Sequence, residues 1–162
     1  MKKGEQKMAA ARMQFIATDK RLKAPGYATA GSAGIDLCAC SLDGLMLQGR
    51  AMVSPGGCFT LGTGLKIHIG SGGAGLVGLV APRSSLGKRG LALQNTVGVI
   101  DEDYQGEIVL MCRNENRQVL IIDPLERVAQ MVVMPVFRTE LVAVTEFAKT
   151  ARGAGGIGST GK

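Results

Sequence analysis

The sequence lacks the features that mark several classes of protein. None of its apolar runs approaches the ~18–20 residues of a membrane-spanning helix, so no such helix is expected. No two of its four cysteines form a C-x-x-C pair and His68 is its only histidine, so the ligands of a zinc site are missing. No segment keeps a 3.6-residue apolar period over three turns, which argues against a helical bundle. The first ten residues, MKKGEQKMAA, carry charge without an apolar stretch behind them, and a signal peptide is not expected.

The composition fits one globular domain. The 162 residues are 46% hydrophobic and 20% charged, enough to bury a core. Glycine occurs 24 times, about twice the usual share of ~7%, which favours short strands joined by many turns. The cysteines are expected to be buried, reduced thiols, and the protein is therefore expected in the cytoplasm.

The net charge of +6 is concentrated near the N-terminus. Residues 1–23 hold seven basic and two acidic side chains, whereas the remainder of the chain is close to neutral. A basic segment can contact nucleic acid, but a solvated tail is the simpler interpretation. We therefore predict a flexible basic leader over residues 1–11 and expect no nucleic-acid partner.

Short apolar, β-branched runs between turn residues predict an all-β fold, either a sandwich or a barrel. The predicted strands lie within residues 13–17, 34–39, 58–69, 75–81, 106–112, 118–123, 127–137 and 141–147. Pro135 places its strand at an edge, at a bulge or at a break. A single helical turn is predicted in residues 84–90, with Ser84 as its cap. Residues 149–162 have one apolar side chain larger than alanine, Ile157, and are predicted to form a flexible arm.

Two segments combine strand residues with polar groups suited to chemistry. In APRSSLGKRG (81–90), Arg83 offers a planar guanidinium for phosphate oxygens, and the two serines that follow add hydroxyls. In NTVGVIDEDYQGE (95–107), Asp101 follows an apolar pair and Tyr104 lies three residues on. A carboxylate at a strand end can orient and deprotonate a water molecule. From the residues alone, a plain turn with a surface carboxylate remains open for the second segment.

Five blocks along the chain together carry a family resemblance. The sequence resembles the homotrimeric all-β deoxyuridine triphosphatase (dUTP pyrophosphatase) family, and the blocks occur in the family's order. They are AGIDLCA (33–39), PRSSLG (82–87), NTVGVIDEDYQGE (95–107), RVAQ (127–130) and RGAGGIGSTG (152–161).

The resemblance implies a jelly-roll-like β sandwich over residues 12–148 and a mobile phosphate-binding arm over residues 149–162. It implies hydrolysis of dUTP to dUMP and pyrophosphate with Mg²⁺, which limits uracil incorporation into DNA and supplies dUMP for dTMP synthesis. It also implies that three subunits build each of three shared sites.

The resemblance also implies a role for each matching residue. Asp101 matches the carboxylate that activates water, and Tyr104 matches the ring that packs on deoxyribose. Asp36 matches the acid that holds the water shell of magnesium. The uracil-reading hairpin is matched by Asn95, Val99, Ile100 and Val109. The phosphate contacts are matched by Arg83, Ser84, Ser85 and Gln130, and in the arm by Arg152, Ser159 and Thr160. Ile157 stands where the family usually has an aromatic that stacks on uracil.

Two alternative functions remain open at this point. One is a deaminase of dCTP with the same fold, although Met111 stands where that branch carries a glutamate base. The other is a trimeric regulatory module that binds another protein. Release of ammonia or of pyrophosphate separates the two enzymes.

Overall fold

The computed structural model describes residues 12–70 and 75–156, and almost all of their regular structure is β. This confirms the predicted fold class. The elements are β1 (Gln14–Ala17), β2 (Ile35–Cys38), β3 (Ser41–Leu42), β4 (Leu45–Met46), β5 (Ala51–Val53), β6 (Cys58–His68), β7 (Leu76–Pro82), α1 (Ser84–Lys88), β8 (Leu91–Leu93), β9 (Gly98–Asp101), β10 (Glu107–Asn114), β11 (Leu120–Ile122) and β12 (Arg127–Pro135).

The described strands form three antiparallel sheets. A six-stranded sheet has the order β4-β3-β6-β10-β8, with β1 also paired to β6. A four-stranded sheet has the order β2-β12-β7-β9, and β11 pairs with β5 in a two-stranded sheet. The neighbours are mostly distant in sequence, as expected for a sandwich in which strands cross between sheets.

The core lies where the inner faces of the sheets meet. Along β10 the side chains alternate between buried and more exposed positions, because successive residues of a strand point to opposite faces. The two larger sheets both contribute side chains that are at most 1% exposed, among them Leu37, Leu61, Ile67, Ile108 and Met131. Burying each such side chain stabilises the fold by roughly 1.5–3 kcal/mol.

The predicted helical turn forms as α1, but its cap is not the expected one. Arg83, with an extended backbone (φ −71°, ψ 144°), is the N-cap, and Ser84 is the first helical residue. No side chain caps this helix. Leu86, 2% exposed, instead anchors α1 to the core.

The predicted strand over residues 141–147 is wrong for this chain. After β12 ends at Pro135, residues 136–147 form no strand, and Phe137, Leu141 and Phe147 are each more than nine-tenths exposed. Their apolar pattern is that of a strand, but this segment pairs with none of the described strands.

The resemblance implied a hairpin around Asp101, but the two strands that flank this turn do not form hydrogen bonds with each other. β9 pairs with β7, whereas β10 pairs with β6 and β8, so residues 102–106 pass from one sheet to the other. No ladder joins β9 to β10 within the described residues. The two strands therefore keep free backbone edges beside this turn.

Candidate active site

Asp36 lies between two guanidinium groups. It sits on β2 opposite Gln130 of β12, and it is 16% exposed. Its Oδ1 lies 3.1 Å from Arg83 Nε, and its Oδ2 lies 3.0 Å from Arg127 Nη1. One carboxylate facing two permanent cations leaves a net positive centre, which favours an anionic ligand. The structure thus brings together three of the residues assigned to phosphate and metal, namely Asp36, Arg83 and Gln130.

The first turn of α1 completes this positive cluster. Ser84 and Ser85 are exposed and follow Arg83, whose backbone N–H donates to Val128 O at 3.1 Å. That hydrogen bond ties the end of β7 to β12, and the two serines follow directly on Arg83, whose guanidinium pairs with Asp36. A groove of about 470 Å³ adjoins Asp36 and is also lined by Lys23, Tyr27 and Arg127, among others.

A single carboxylate is a poor cage for a metal but a suitable partner for hydrated magnesium. No group of three or more His, Cys, Asp or Glu side chains that could hold a metal ion occurs in residues 12–70 and 75–156. Magnesium commonly keeps several waters and binds through one or two carboxylates plus substrate phosphates. Asp36 beside a phosphate-attracting cluster fits that donor set.

Asp101 is the last residue of β9 and is exposed. The turn that follows it is held by Tyr104, whose N–H donates to Asp101 O at 3.2 Å and whose hydroxyl donates to Glu107 O at 2.8 Å. The tyrosine ring lies over Gly106, where an added Cβ would come within 2.3 Å of Tyr104 Oη. Glycine at 106 is therefore required for this ring position. The arrangement presents a carboxylate and an aromatic face on one turn.

A small cavity opens between the free edges of β9 and β10. Its volume is about 20 Å³, room for about one water molecule, and its walls include Asn95, Ile100 and Val109. These are three of the four residues that the resemblance assigns to recognition of the uracil ring. Val99 faces the other side of β9, is 62% exposed and does not line the cavity. Because no ladder closes this gap, backbone groups at its rim stay available to a ligand.

The two halves of the predicted site are far apart within one chain. Asp101 pairs with Val77 on β7, whereas Gln130 and Asp36 lie in line with Ala81. Four residues of a strand span about 13 Å, so the carboxylate and the positive cluster sit toward opposite ends of the same sheet. A single chain does not bring the proposed base to the phosphate cluster.

The arm residues are only partly described. Arg152 is exposed and its Nε donates to Gly155 O at 3.1 Å within a turn of the arm itself. In this chain it is not brought to the Asp36 cluster. Ile157, Ser159 and Thr160 lie outside the described residues, as does the leader over residues 1–11.

The cysteines confirm the expectation of free thiols but only partly that of burial. Cys40 and Cys112 are buried, and burial raises the pKa of each thiol to about 12. Cys38, on the same face of β2 as Asp36, is half-buried, and burial raises its thiol pKa too. Cys58 is exposed, contrary to the expectation.

Two residues of the site escaped the sequence analysis. Arg127 stood inside the RVAQ block, but nothing in the sequence indicated its ion pair with Asp36, which lies 91 positions away. Glu102 stood between two other acidic residues and gave no signal, although it is the buried side chain of the Asp101 turn. Both contacts depend on strand register, which the sequence does not reveal.

Solved structures of phage dUTPases share this architecture. A Staphylococcus bacteriophage 80alpha dUTPase with dUpNHpp superposes with a TM-score of 0.74 at 21% identity, covering 94% of this chain and 100% of that one. A mutant dUTPase of phage phi11 of S. aureus, described with a structural Mg(II) ion, gives a TM-score of 0.71 at 19% identity over 85% and 99% of the two chains. At these identities the likeness is evidence of the fold. No helix among the described residues has the length and apolarity to cross a bilayer.

Bacterial relatives are considerably more similar in sequence. The deoxyuridine 5'-triphosphate nucleotidohydrolase of Paraburkholderia phytofirmans is 46% identical over 151 residues, which cover 93% of this chain and 97% of the relative. The enzyme of the same name from Nitrosospira multiformis is 45% identical over 147 residues, 89% of this chain and 93% of the relative. The dUTPase family model matches residues 20–161. With nearly its whole length matched and its strands arranged as in the solved members, this chain belongs to the dUTPase family.

Proposed function

We propose that this protein hydrolyses dUTP to dUMP and pyrophosphate by attack of water on the α-phosphorus. The observation that carries the proposal is the turn after β9, whose residues include the exposed carboxylate of Asp101 and the ring of Tyr104, between two strands whose free edges border a small cavity. Membership of the dUTPase family and relatives named for this activity support it.

In the proposed reaction Asp101 is the general base. Its carboxylate accepts a proton from water while the water oxygen forms a bond to the α-phosphorus. The bond from that phosphorus to the bridging oxygen breaks, and the electron pair leaves with pyrophosphate. A positioned base of this kind contributes roughly 10²–10⁴-fold to a rate.

The positive cluster around Asp36 is proposed to hold the triphosphate. Arg83 presents a guanidinium for two phosphate oxygens, and the hydroxyls of Ser84 and Ser85 donate further hydrogen bonds. Gln130 lies opposite Asp36 in the register, which supports a contact with the α-phosphate in this proposal. Asp36 would hold Mg²⁺ through its water shell, and the bound ion would neutralise charge on the phosphates. The ion pairs of Asp36 orient its carboxylate for that purpose.

The gap between β9 and β10 is proposed to read uracil. Asn95, with the backbone near Val99, Ile100 and Val109, offers donors and acceptors to the base edge, whereas cytosine presents them reversed and thymine adds a methyl. Tyr104 packs on the deoxyribose and leaves no room for a 2′-hydroxyl. A hydroxyl buried there without a partner would also cost about 1–3 kcal/mol.

We propose a homotrimer with shared sites, because one chain separates the base from the phosphate cluster. A neighbouring copy can supply Asp101 to the Asp36 cluster without moving β7. The exposed apolar side chains of residues 136–147 support the same assembly, since large apolar patches on a surface mark interaction sites.

The arm, residues 149–162, is proposed to close over the bound nucleotide. Arg152, Ser159 and Thr160 would contact phosphates, and Ile157 would pack on the base without aromatic stacking. Ordering ten residues costs on the order of 10 kcal/mol, which several charge-assisted hydrogen bonds offset only when the triphosphate is present. A cytoplasmic location belongs to the proposal too, on the four free cysteines.

A nucleotide panel tests the function directly. With Mg²⁺ present, pyrophosphate release is expected from dUTP and not from dCTP, dTTP or UTP, measured beside ammonia release in the same samples. Release of ammonia from dCTP would favour the deaminase instead. Met111 on the cavity wall argues against that activity, because its thioether cannot transfer a proton. No product from any nucleotide would favour the regulatory binding module.

The Gly106→Ala variant should weaken discrimination against ribose. The added Cβ would collide with Tyr104 Oη, so the ring must leave its position over residue 106. We expect kcat/KM for dUTP to fall and the preference for dUTP over UTP to narrow by about tenfold, as removal of ~1.4 kcal/mol of selectivity would. Gly49→Ala is the matched control, because nothing lies within 4 Å of its added Cβ. An unchanged dUTP-to-UTP ratio in Gly106→Ala would remove Tyr104 from its proposed role.

A further inference from the structure

Tyr104 makes its hydrogen bonds within the turn that carries Asp101, whereas the side chain of Glu102 joins this turn to the rest of the domain. Of residues 101–107 only Glu102 is buried, with 9% of its side chain exposed, whereas Asp101, Asp103 and Tyr104 are exposed. A buried carboxylate is tolerated only where it is paired and hydrogen-bonded. The contacts of Glu102 therefore decide where the turn sits.

Three different chain segments converge on Glu102. Its Oε2 accepts a hydrogen bond from Leu76 N at 2.9 Å, at the start of β7, and its backbone oxygen accepts one from Gly70 N at 3.0 Å. Its Oε1 lies 3.1 Å from Arg138 Nη2. Of these partners, Arg138 alone belongs to the exposed segment that follows β12.

Arg138 lies close to the point where that segment leaves the domain. Val136 N donates to Gly75 O at 2.6 Å, and two residues later Arg138 reaches Glu102. Beyond it, residues 141–147 carry the exposed apolar side chains that the proposed trimer would cover.

We infer that Arg138 is a positioning residue for the reaction: through its ion pair with Glu102 it fixes the Asp101 turn against the start of the C-terminal segment. The inference rests on the proposed function, since it requires Asp101 to be the base. Arg138 acts through Glu102 and does not itself touch the substrate. Its contribution should therefore appear in the chemical step and not in binding.

The chain offers a matched control for this ion pair. Arg138 is 72% exposed, so replacing it leaves the core intact. Arg50 is 71% exposed and pairs with Asp123 through Nε and Oδ1 at 2.7 Å, beside the two-stranded sheet of β5 and β11. The two arginines are matched in exposure, but their partners are not, since Glu102 is 9% exposed and Asp123 is 51% exposed. Because losing the partner of a buried charge destabilises a fold, the free energy of unfolding of both variants is measured beside the kinetics.

Steady-state kinetics at saturating dUTP test the inference. Arg138→Gln should lower kcat about fivefold with KM within about twofold, a size typical of coupling between contacting groups. Arg138→Lys, which keeps the charge, should restore most of the rate, and Arg50→Gln should match the wild type. A kcat for Arg138→Gln equal to that of Arg50→Gln would overturn the inference.

A double-mutant cycle shows whether Arg138 acts through Glu102. In a Glu102→Gln background, Arg138→Gln should lower kcat by less than about twofold further, because the contact is already broken. If the two substitutions multiply their effects instead, Arg138 acts by another route and the assignment is wrong.

A fluorescence measurement tests the anchor independently of turnover. The chain has two tyrosines and no tryptophan, so in Tyr27→Phe protein the emission of Tyr104 is observed alone. Adding Arg138→Gln should increase acrylamide quenching of Tyr104, whereas adding Arg50→Gln should not. A wild type inactive on dUTP would refute the proposed function, and the quenching comparison would still decide whether Arg138 holds the turn; unchanged quenching would show that it does not.

Discussion

Replacing Asp101 by asparagine is expected to lower kcat for dUTP by about 10²–10⁴-fold, the usual contribution of a positioned general base. Asparagine has nearly the same shape, but its amide cannot accept the proton of the attacking water. Asp101 is exposed at the end of β9, so the exchange should leave folding unchanged. Affinity for the non-hydrolysable analogue dUpNHpp, measured by calorimetry, should stay within about threefold of the wild type, because the base contributes to the transition state and not to ground-state binding.

Asp103→Asn is the matched control for this variant. Asp103 lies two residues further along the same turn, is likewise exposed, and has no assigned role. It should retain near wild-type turnover. Equal turnover in Asp101→Asn and the wild type would remove Asp101 from its role as the base, whereas an equal loss in both variants would point to the charge of the turn as a whole.

Mixing two inactive variants should restore activity. Asp101→Asn and Arg83→Ala each remove one half of the proposed site, and the two halves lie about 13 Å apart along β7 in one chain. In randomly mixed trimers, about a quarter of the sites would combine an intact Asp101 from one copy with an intact Arg83 from the next. Activity should therefore recover to about a quarter of the wild-type value after the variants are refolded together, as measured by pyrophosphate release.

The control for this experiment pairs two substitutions in the same half. Asp36 Oδ1 lies 3.1 Å from Arg83 Nε, so Asp36→Ala and Arg83→Ala damage the same cluster. Their mixture should recover nothing, since no copy offers an intact cluster. Recovery in both mixtures, or in neither, would contradict a site that is divided between chains in this way.

Strand positions could be predicted from the sequence wherever the apolar side chains of a run pack against the core of their own domain. The runs that became β6, β7, β10 and β12 were found, because their side chains meet the core of the same domain. The run over residues 141–147 has the same pattern but stays exposed, and it pairs with none of the strands among the described residues. The apolar periodicity of a segment indicates which of its side chains favour burial, but it does not indicate which surface buries them.

Pairing was harder to predict than position. The family resemblance implied a hairpin at these residues, yet β9 and β10 belong to different sheets. Likewise, the blocks containing Asp36, Arg83 and Arg127 were each recognised, but their convergence follows from the register of β2 on β12 and of β12 on β7. Such long-range register is set by packing of the whole core, which no local pattern records.

The placement of Asp101 and the Asp36 cluster toward opposite ends of one sheet has a consequence for the cell. If sites form only between the chains of a trimer, a newly made chain that has folded alone does not hydrolyse nucleotide, although it contains every residue of the site. Hydrolytic output would then rise more steeply than the number of chains while expression is low, and become proportional to it only once association is saturated. The rate of substrate hydrolysis would thus depend more steeply on gene dosage than it does for an enzyme whose site lies within one chain.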